Sequence, residues 1–290
     1  MFKKLLLSVL AISAFGLTAC QNSEQKPADA TANSATGKTP SVFRVGTEGA
    51  YKPFNYKNEK GELVGFDVDI ANALCEDMKV KCEIVAQDWE GSIPSLNANK
   101  FDALISAMSI TPERQTQVDF TEPYFTNSLV FVAKKDSPFD PSRPEQINGH
   151  TVSAQRSTIS SQWLEKTYPD AEDKLYDTLD NAFLDLGAGR VEAMIADKAP
   201  ALVWLNSPEG ANFSVKGQEI DIHDKLAIAV RKNDIWLAKV NTSLSNIRQN
   251  GTYDKIMAKH FGQASINSVT ASTTASTVTA SASVTASVSQ

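Results

Sequence analysis

The chain has 290 residues, 42% of them hydrophobic and 21% charged, with 28 Lys and Arg against 34 Asp and Glu. That length and apolar content permit a sizeable core, and the net charge of −6 gives no electrostatic reason to bind nucleic acid. The three histidines, His150, His223 and His260, are too scattered to suggest a metal site or a His-based catalytic triad.

The first element is an export signal. Met1-Phe-Lys-Lys is a positive n-region, and residues 5–17 form an apolar run too short to span a membrane, so 1–19 reads as a signal peptide. The run ends in Leu17-Thr-Ala-Cys20, which resembles the lipobox of bacterial lipoproteins, where the cysteine becomes the lipidated first residue. Lipid on Cys20 would hold the protein at the periplasmic or cell-surface face of a bacterial membrane. Residues 20–41 are Ala, Thr, Asn, Ser, Lys and Gln with little to bury, a flexible tether reaching roughly 25 Å. Loss of Lys3 and Lys4 with the leader leaves 26 cations against 34 anions, a mature charge of −8.

A folded unit of some two lobes follows. Short apolar strands are expected at 43–47, 81–85 and 103–106. Helices are expected at 67–78, where Ile70, Leu74 and Met78 recur every four residues, and from Pro94. Cys75 and Cys82 stand seven positions apart where that first helix hands over to a strand. In an exported chain a disulfide is favoured over free thiols, and a metal site would want more ligands than the neighbourhood offers. Thr111 then suits an N-cap and Pro112 the first helical position. Arg114 in that first turn sits at the positive end of a helix. It is either a surface ion-pair partner or a clamp for a carboxylate, held with free backbone N–H groups.

Beyond it, strands at 151–154 and 191–196 alternate with helical stretches at 159–168, 181–186 and 200–205. Such alternation implies βαβ units, mostly parallel sheets flanked by helices, and a site beyond the carboxyl ends of strands. Leu237, Val240, Leu244 and Ile247 mark a last packing helix. Gly187 and Gly189 read as a helix stop rather than a phosphate loop. The Ser, Thr, Ala and Val tail over 263–290 reads as disordered.

Seven motifs carry a resemblance. They are Gly46-Thr-Glu-Gly-Ala-Tyr-Lys-Pro-Phe54, Gly61-Glu-Leu-Val-Gly-Phe-Asp-Val-Asp-Ile70, Ile93-Pro-Ser-Leu and Ser106-Ala-Met-Ser-Ile-Thr-Pro-Glu-Arg114. Phe120-Thr-Glu-Pro-Tyr124, Gly189-Arg-Val-Glu-Ala-Met-Ile-Ala-Asp197 and Gly251-Thr-Tyr-Asp-Lys255 complete the set. Together, over residues 42–262, the chain resembles the family-3 extracellular solute-binding proteins, the polar amino-acid receptors of ABC importers, above all those for lysine/arginine/ornithine and for histidine.

The resemblance implies a two-lobed α/β periplasmic-binding-protein fold of type II that hinges shut over one amino acid. Lobe 1 would be 42–129 plus 226–262 and lobe 2 would be 133–222, with crossings near 129–133 and 221–225. It also implies a disulfide between Cys75 and Cys82. The ligand's α-carboxylate would meet Arg114, the N–H groups around Met108 and Ser109, and the Ser157-Thr158 loop, and Asp197 would take the α-ammonium. Tyr51 and Trp89 would sandwich the side chain, with Glu48, Asp67 and Ser106 at its distal end. Each has a plainer rival: Tyr51 and Trp89 as packing aromatics, Glu48, Asp67 and Asp197 as helix caps, Ser106 and Ser109 as turn hydroxyls. Two departures stand out, Ala107 where relatives often carry serine, and Arg156 where they usually carry glycine. Arg156 either adds a second cation to the carboxylate end or points outward.

The expected function is capture of a cationic L-amino acid (arginine, lysine, ornithine or histidine) by a lipid-anchored monomer for an ABC permease's membrane subunits, without cofactor, metal or catalysis. The competing expectations are a glutamine-like or acidic ligand, a prephenate-type dehydratase on the same scaffold, and a sensory receptor working through a partner.

Overall fold

The computed structural model describes residues 40–262 except Pro144 and Gln146. The leader, Cys20, residues 20–39 of the expected tether and the 263–290 tail lie outside the described residues.

Strand β1 (Val42–Thr47) leads into a small antiparallel sheet of β2 (Ala50–Tyr51), β3 (Asn55–Lys57) and β4 (Leu63–Val64). Helix α1 (Phe66–Met78) then returns the chain to β5 (Lys81–Ala86), parallel to β1. A 3-10 turn at Trp89–Gly91 and α2 (Ser92–Asn97) lead to β6 (Ala103–Leu104) on the other side of β1, again parallel. After α3 (Pro112–Gln117) comes β7 (Val118–Phe120), an edge of this first sheet.

Strand β8 (Phe125–Lys134) carries the chain into a second sheet. Its parallel core is β9 (Thr151–Gln155), β10 (Glu172–Tyr176) and β11 (Ala193–Asp197), separated by α4 (Ile159–Thr167) and α5 (Leu179–Gly187). Helix α6 (Lys198–Leu205) precedes the long return strand β12 (Phe213–Leu226), antiparallel to β8. Back in the first sheet, β13 (Ala229–Arg231) runs antiparallel between β6 and β7, and α7 (Trp236–Gln249) and α8 (Thr252–Phe261) finish the first lobe. In each five-stranded sheet four strands share one direction, so the mostly parallel, two-lobed α/β reading holds.

The strands read as apolar runs because both their faces are covered. All five residues of β11 are buried, as are seven consecutive residues of β8. Val240, Leu244 and Ile247 of α7 pack in one cluster with Ile70, Ala71 and Leu74 of α1. The start of α1 is set by Gly65. Its φ is 127°, and a β-carbon there would lie 2.3 Å from the Phe54 carbonyl oxygen. That approach lets the Phe66 and Asp67 N–H groups donate to the Pro53 and Phe54 carbonyls at 3.0 and 2.7 Å. The loop bearing Tyr51 is thereby tied to the helix.

The crossing between lobes differs in one place from expectation. Residues 129–133 sit inside the second sheet, paired with β11, so the passage comes earlier, along the start of β8. There β8 pairs with the end of β12 (Phe125 with Leu226, Asn127 with Asp224), with register shifts on either side of Ile220. The two crossings thus form one ribbon.

Cys75 in α1 and Cys82 in β5 are joined, their Cα atoms 5.6 Å apart. Closing so short a loop restrains the unfolded chain by about 2.5 kcal/mol in the chain-entropy model. The double variant Cys75→Ser/Cys82→Ser should therefore melt about 5–10 °C lower by calorimetry. An unchanged melting temperature would mean the bridge adds nothing to stability.

Candidate functional site

The carboxyl ends of β1, β6, β9 and β11 open onto one cleft between the lobes, where ligand sites lie in sheets of this kind. The cleft holds a small pocket that is partly open to solvent. The first lobe lines it with Glu48 and Tyr51 after β1, Trp89 from the 3-10 turn, Ser106, Ala107 and Ser109 after β6, and Arg114 from α3. The second lobe adds Gln155 at the end of β9, then Thr158 and Ile159, and Asp197 at the end of β11.

Arg114 is placed by local chemistry. Pro112 opens α3, and Thr111 caps it by accepting the Arg114 backbone N–H at 3.2 Å. The guanidinium donates to the Ser109 carbonyl and, across the cleft, to the Ser157 carbonyl, both at 2.9 Å. It lies 5.1 Å from the centre of the Trp89 ring, whose indole N–H donates to the same Ser157 carbonyl at 3.2 Å. Only 6% of the residue is exposed. Burial lowers its pKa, with the charges of Asp224 and Asp197 acting the other way, and a guanidinium stays charged throughout. Those two bonds engage two of the five donors in the fork.

Three buried carboxylates lie in or against this pocket. Asp197 accepts the Tyr51 hydroxyl at 2.6 Å through Oδ2, while its buried Oδ1 has no hydrogen-bond partner among the described residues. It occupies the N-cap position of α6 but makes no capping bond, so its side chain is free to serve the cleft. Burial, with the Asp224 charge adding to it, pushes its pKa up to about 6, opposed by hydrogen bonding to the Tyr51 hydroxyl and the Asn127 side chain and by the Arg114 charge. Glu48 accepts the Gln155 amide N–H at 2.7 Å, and its own backbone N–H donates to the Ser106 hydroxyl at 2.9 Å. Burial pushes Glu48 up to about 7; the Gln155 bond favours its ionised form, and Asp180 and Asp88 oppose it. Asp224 accepts from Ser109 Oγ at 3.0 Å and Asn127 Nδ2 at 2.9 Å, tying the hinge ribbon to the pocket floor.

Three residues expected at the ligand stand elsewhere, and a fourth, Ser157, presents only its backbone to the cleft. Asp67 is buried in α1 behind the pocket wall, where Oδ1 accepts the Tyr124 hydroxyl at 2.7 Å and Oδ2 the Asn55 amide at 2.8 Å. Tyr124 in turn accepts the Ala107 N–H at 3.1 Å, and Asn55 accepts the Gly49 N–H at 2.7 Å, so Asp67 braces the turns that line the site. Burial pushes its pKa up to about 6, against hydrogen bonding to the Tyr124 hydroxyl, the Asn55 amide and the Ala107 backbone N–H, which favours the ionised form. Met108 points into an apolar cluster with Leu96, Phe101 and Leu104 because the left-handed turn at Ala107, φ 46°, reverses the chain there. Arg156 faces outward. Its guanidinium donates to the Leu175 carbonyl at 3.0 Å and lies 3.5 Å from Asp177 and 3.9 Å from Glu90. Ser157 offers the cleft its carbonyl rather than its hydroxyl, which donates to Glu90 at 3.1 Å. Asp67→Asn should accordingly weaken every ligand by the same factor; a changed ligand ranking in calorimetric titrations would return Asp67 to the ligand's side.

Gln155 and Ile159 line the pocket without having been singled out. Gln155 was discoverable: it is the last residue of a strand whose carboxyl end faces the cleft. Asp224 gave no such signal, since it sits in a polar stretch of β12.

The family model for bacterial extracellular solute-binding proteins, family 3, matches residues 43–263. The chain is 35% identical over 239 residues to the lysine/arginine/ornithine-binding periplasmic protein of Escherichia coli, covering 80% of this chain and 92% of that protein. It is 37% identical over 226 residues to the L-arginine-binding protein of Pseudomonas aeruginosa, covering 75% and 87%. An ancestral arginine-binding protein solved with arginine superposes with a TM-score of 0.74 at 38% identity, covering 78% of this chain and all of that one.

Proposed function

Because the chain belongs to the family-3 bacterial extracellular solute-binding proteins, we propose that it captures a cationic L-amino acid (arginine, lysine, ornithine or histidine) between its lobes. It hands that ligand to an ABC permease, and lipid on Cys20 holds it at the periplasmic or cell-surface face of a bacterial membrane. One observation carries the reading: a single pocket combines a buried guanidinium with donors to spare, a buried Asp197 oxygen without a partner, and Glu48.

A zwitterion fits that set. Its carboxylate pairs with the fork of Arg114, its ammonium with Asp197 Oδ1, and its side-chain stem lies against Tyr51 and Trp89. Glu48 receives the cationic tip. With Asp67 engaged behind the wall, the preference for a cation rests on Glu48 and its Gln155 partner. Binding rather than turnover is favoured because the named relatives are binding proteins and because Asp197 and Glu48 are each held by a hydrogen-bond donor of the protein.

A thermal-shift screen against the twenty amino acids, ornithine, citrulline and prephenate tests this, on protein unfolded and refolded to strip carried-over ligand. Ligand at about a hundred times its dissociation constant adds roughly 2.7 kcal/mol of stability. The expected rise is confined to arginine, lysine, ornithine or histidine. A response to glutamine or an acidic amino acid would retain Arg114 and overturn Glu48. A response to prephenate alone would reopen the enzyme reading.

A further inference from the structure

Gln155 ends β9 on the second-lobe wall of the pocket, and 2% of it is exposed. Its amide nitrogen donates to Glu48 Oε1 at 2.7 Å and to the Asp177 carbonyl at 3.2 Å. Both partners are acceptors, so the amide cannot be turned over. The reversed orientation would set its oxygen against a carboxylate and a carbonyl and leave both without a donor. The oxygen is therefore the atom left over, and it is buried without a hydrogen-bond partner among the described residues.

We propose that Gln155 is a specificity-determining residue of this pocket: its locked amide turns Oε1 toward the ligand as an obligatory acceptor, working beside Glu48 to select a side-chain tip rich in N–H donors. The inference rests on the amino-acid-binding reading above and names the feature that ranks the ligands within it.

The chemistry orders the tips. A guanidinium or ammonium supplies donors to the Glu48 carboxylate and the Gln155 oxygen together, with charge assistance from the former. A carboxamide satisfies one acceptor but brings its own oxygen against the other. An apolar tip leaves a buried acceptor unpaired, which is the costly outcome for any polar group away from water. A carboxylate has no donor at all and faces Glu48, with Asp180 and Asp88 adding to the negative field there. Glu48 alone would favour any cation. The second, uncharged acceptor adds a demand for N–H groups in two directions, which the spread, planar fork of a guanidinium meets over a wider span than the three donors on one ammonium nitrogen.

A rival role exists, because the Gln155–Glu48 bond also joins the two lobes. A mere clasp would support all ligands equally, and the ratio of affinities separates the two. Calorimetric titrations, with competition for weak binders, compare arginine with norleucine, which shares the α-groups and stem but has an apolar tip. The proteins are wild type, Gln155→Met, which removes the amide at similar length, and Gln155→Asn, which retracts it.

The arginine-to-norleucine ratio should fall at least about tenfold in both variants, because a site built to bond a polar tip loses its discrimination when the bonding group goes. Equal weakening of both ligands, or unchanged arginine affinity, would overturn the proposal. If Gln155→Met fails to fold, as judged by its melt, Gln155→Asn carries the same test. Wild-type protein that binds neither arginine nor any other amino acid would overturn the functional reading itself, a result distinct from an unchanged ratio.

Discussion

Arg114→Ala should weaken the binding of every amino acid by roughly two to four orders of magnitude in the arrangement described here. Charge-assisted hydrogen bonds contribute about 1.5–3 kcal/mol each, and a carboxylate takes two from the fork, so the loss is about 3–6 kcal/mol or two to four orders of magnitude in Kd. The substitution also removes the bond to the Ser157 carbonyl across the cleft, and with it one of the contacts that hold the lobes together. The fold should survive, because the Thr111 cap engages the backbone at position 114 and not the side chain. Arg114→Lys keeps the charge but replaces the fork with a point donor, and should recover only part of the loss. Titration calorimetry of both proteins decides it, and a Kd weakened less than about tenfold in the alanine variant would place the carboxylate elsewhere.

Arginine affinity should fall by roughly two to three orders of magnitude between pH 8 and pH 5. Glu48 at about 7 and Asp197 at about 6 must both be ionised to meet the ligand's cations, so protons compete with ligand as pH drops through those values. Arginine is the ligand of choice because its guanidinium does not titrate in this window.

The stability of the unliganded protein should move oppositely. Glu48, Asp67 and Asp197 have folded pKa values above their ordinary ones. The stability they contribute is therefore fully present below about pH 4 and is lost as pH rises through 6 and 7. Each contributes on the order of 1–3 kcal/mol. The melting temperature without ligand should accordingly rise on acidification from pH 8 to 5. Asp185, held far below the usual carboxylate range by Tyr176, Lys174 and Arg190, acts only below that window. An affinity flat from pH 8 to 5 would show that these two carboxylates do not face the ligand.

Much of the architecture was legible because burial on both strand faces writes itself as apolar runs, and because Thr111-Pro112 and the 67–78 periodicity are local signals. The strands that failed to announce themselves are those whose role is long-range. In β12 only three of fourteen residues are buried, so its 14 positions show no apolar pattern. The start of β8 is polar where it meets β12, with Asn127 and Ser128 buried, and it reads as a connection rather than a strand.

The site shows the same division. Arg114 was singled out by its place in the first turn of a helix, and Tyr51 and Asp197 by the motifs that carry the resemblance; all three line the pocket. Asp67 was assigned to the ligand because an acid in a motif looks alike whether it faces the cleft or the wall behind it. Only the positions of Tyr124 and Asn55, 57 and 12 residues away, decide that. Arg156 left both directions open, and the carbonyl of Leu175 settles it outward.

The ribbon of β8 and β12 has a consequence for engineering. Leu129 and Ile220, where the chain enters and leaves the second sheet, are paired directly with each other. Everything between them is an insertion whose two ends lie side by side, the geometry in which one module can be exchanged for another without stretching its host. Swapping 130–219 for the equivalent segment of a relative would replace Gln155, Thr158 and Asp197 in one step while keeping Arg114, Glu48 and Tyr51 in place. The pocket is in this sense a sum of two cassettes, and new ligand preferences are reachable by recombination as well as by point substitution.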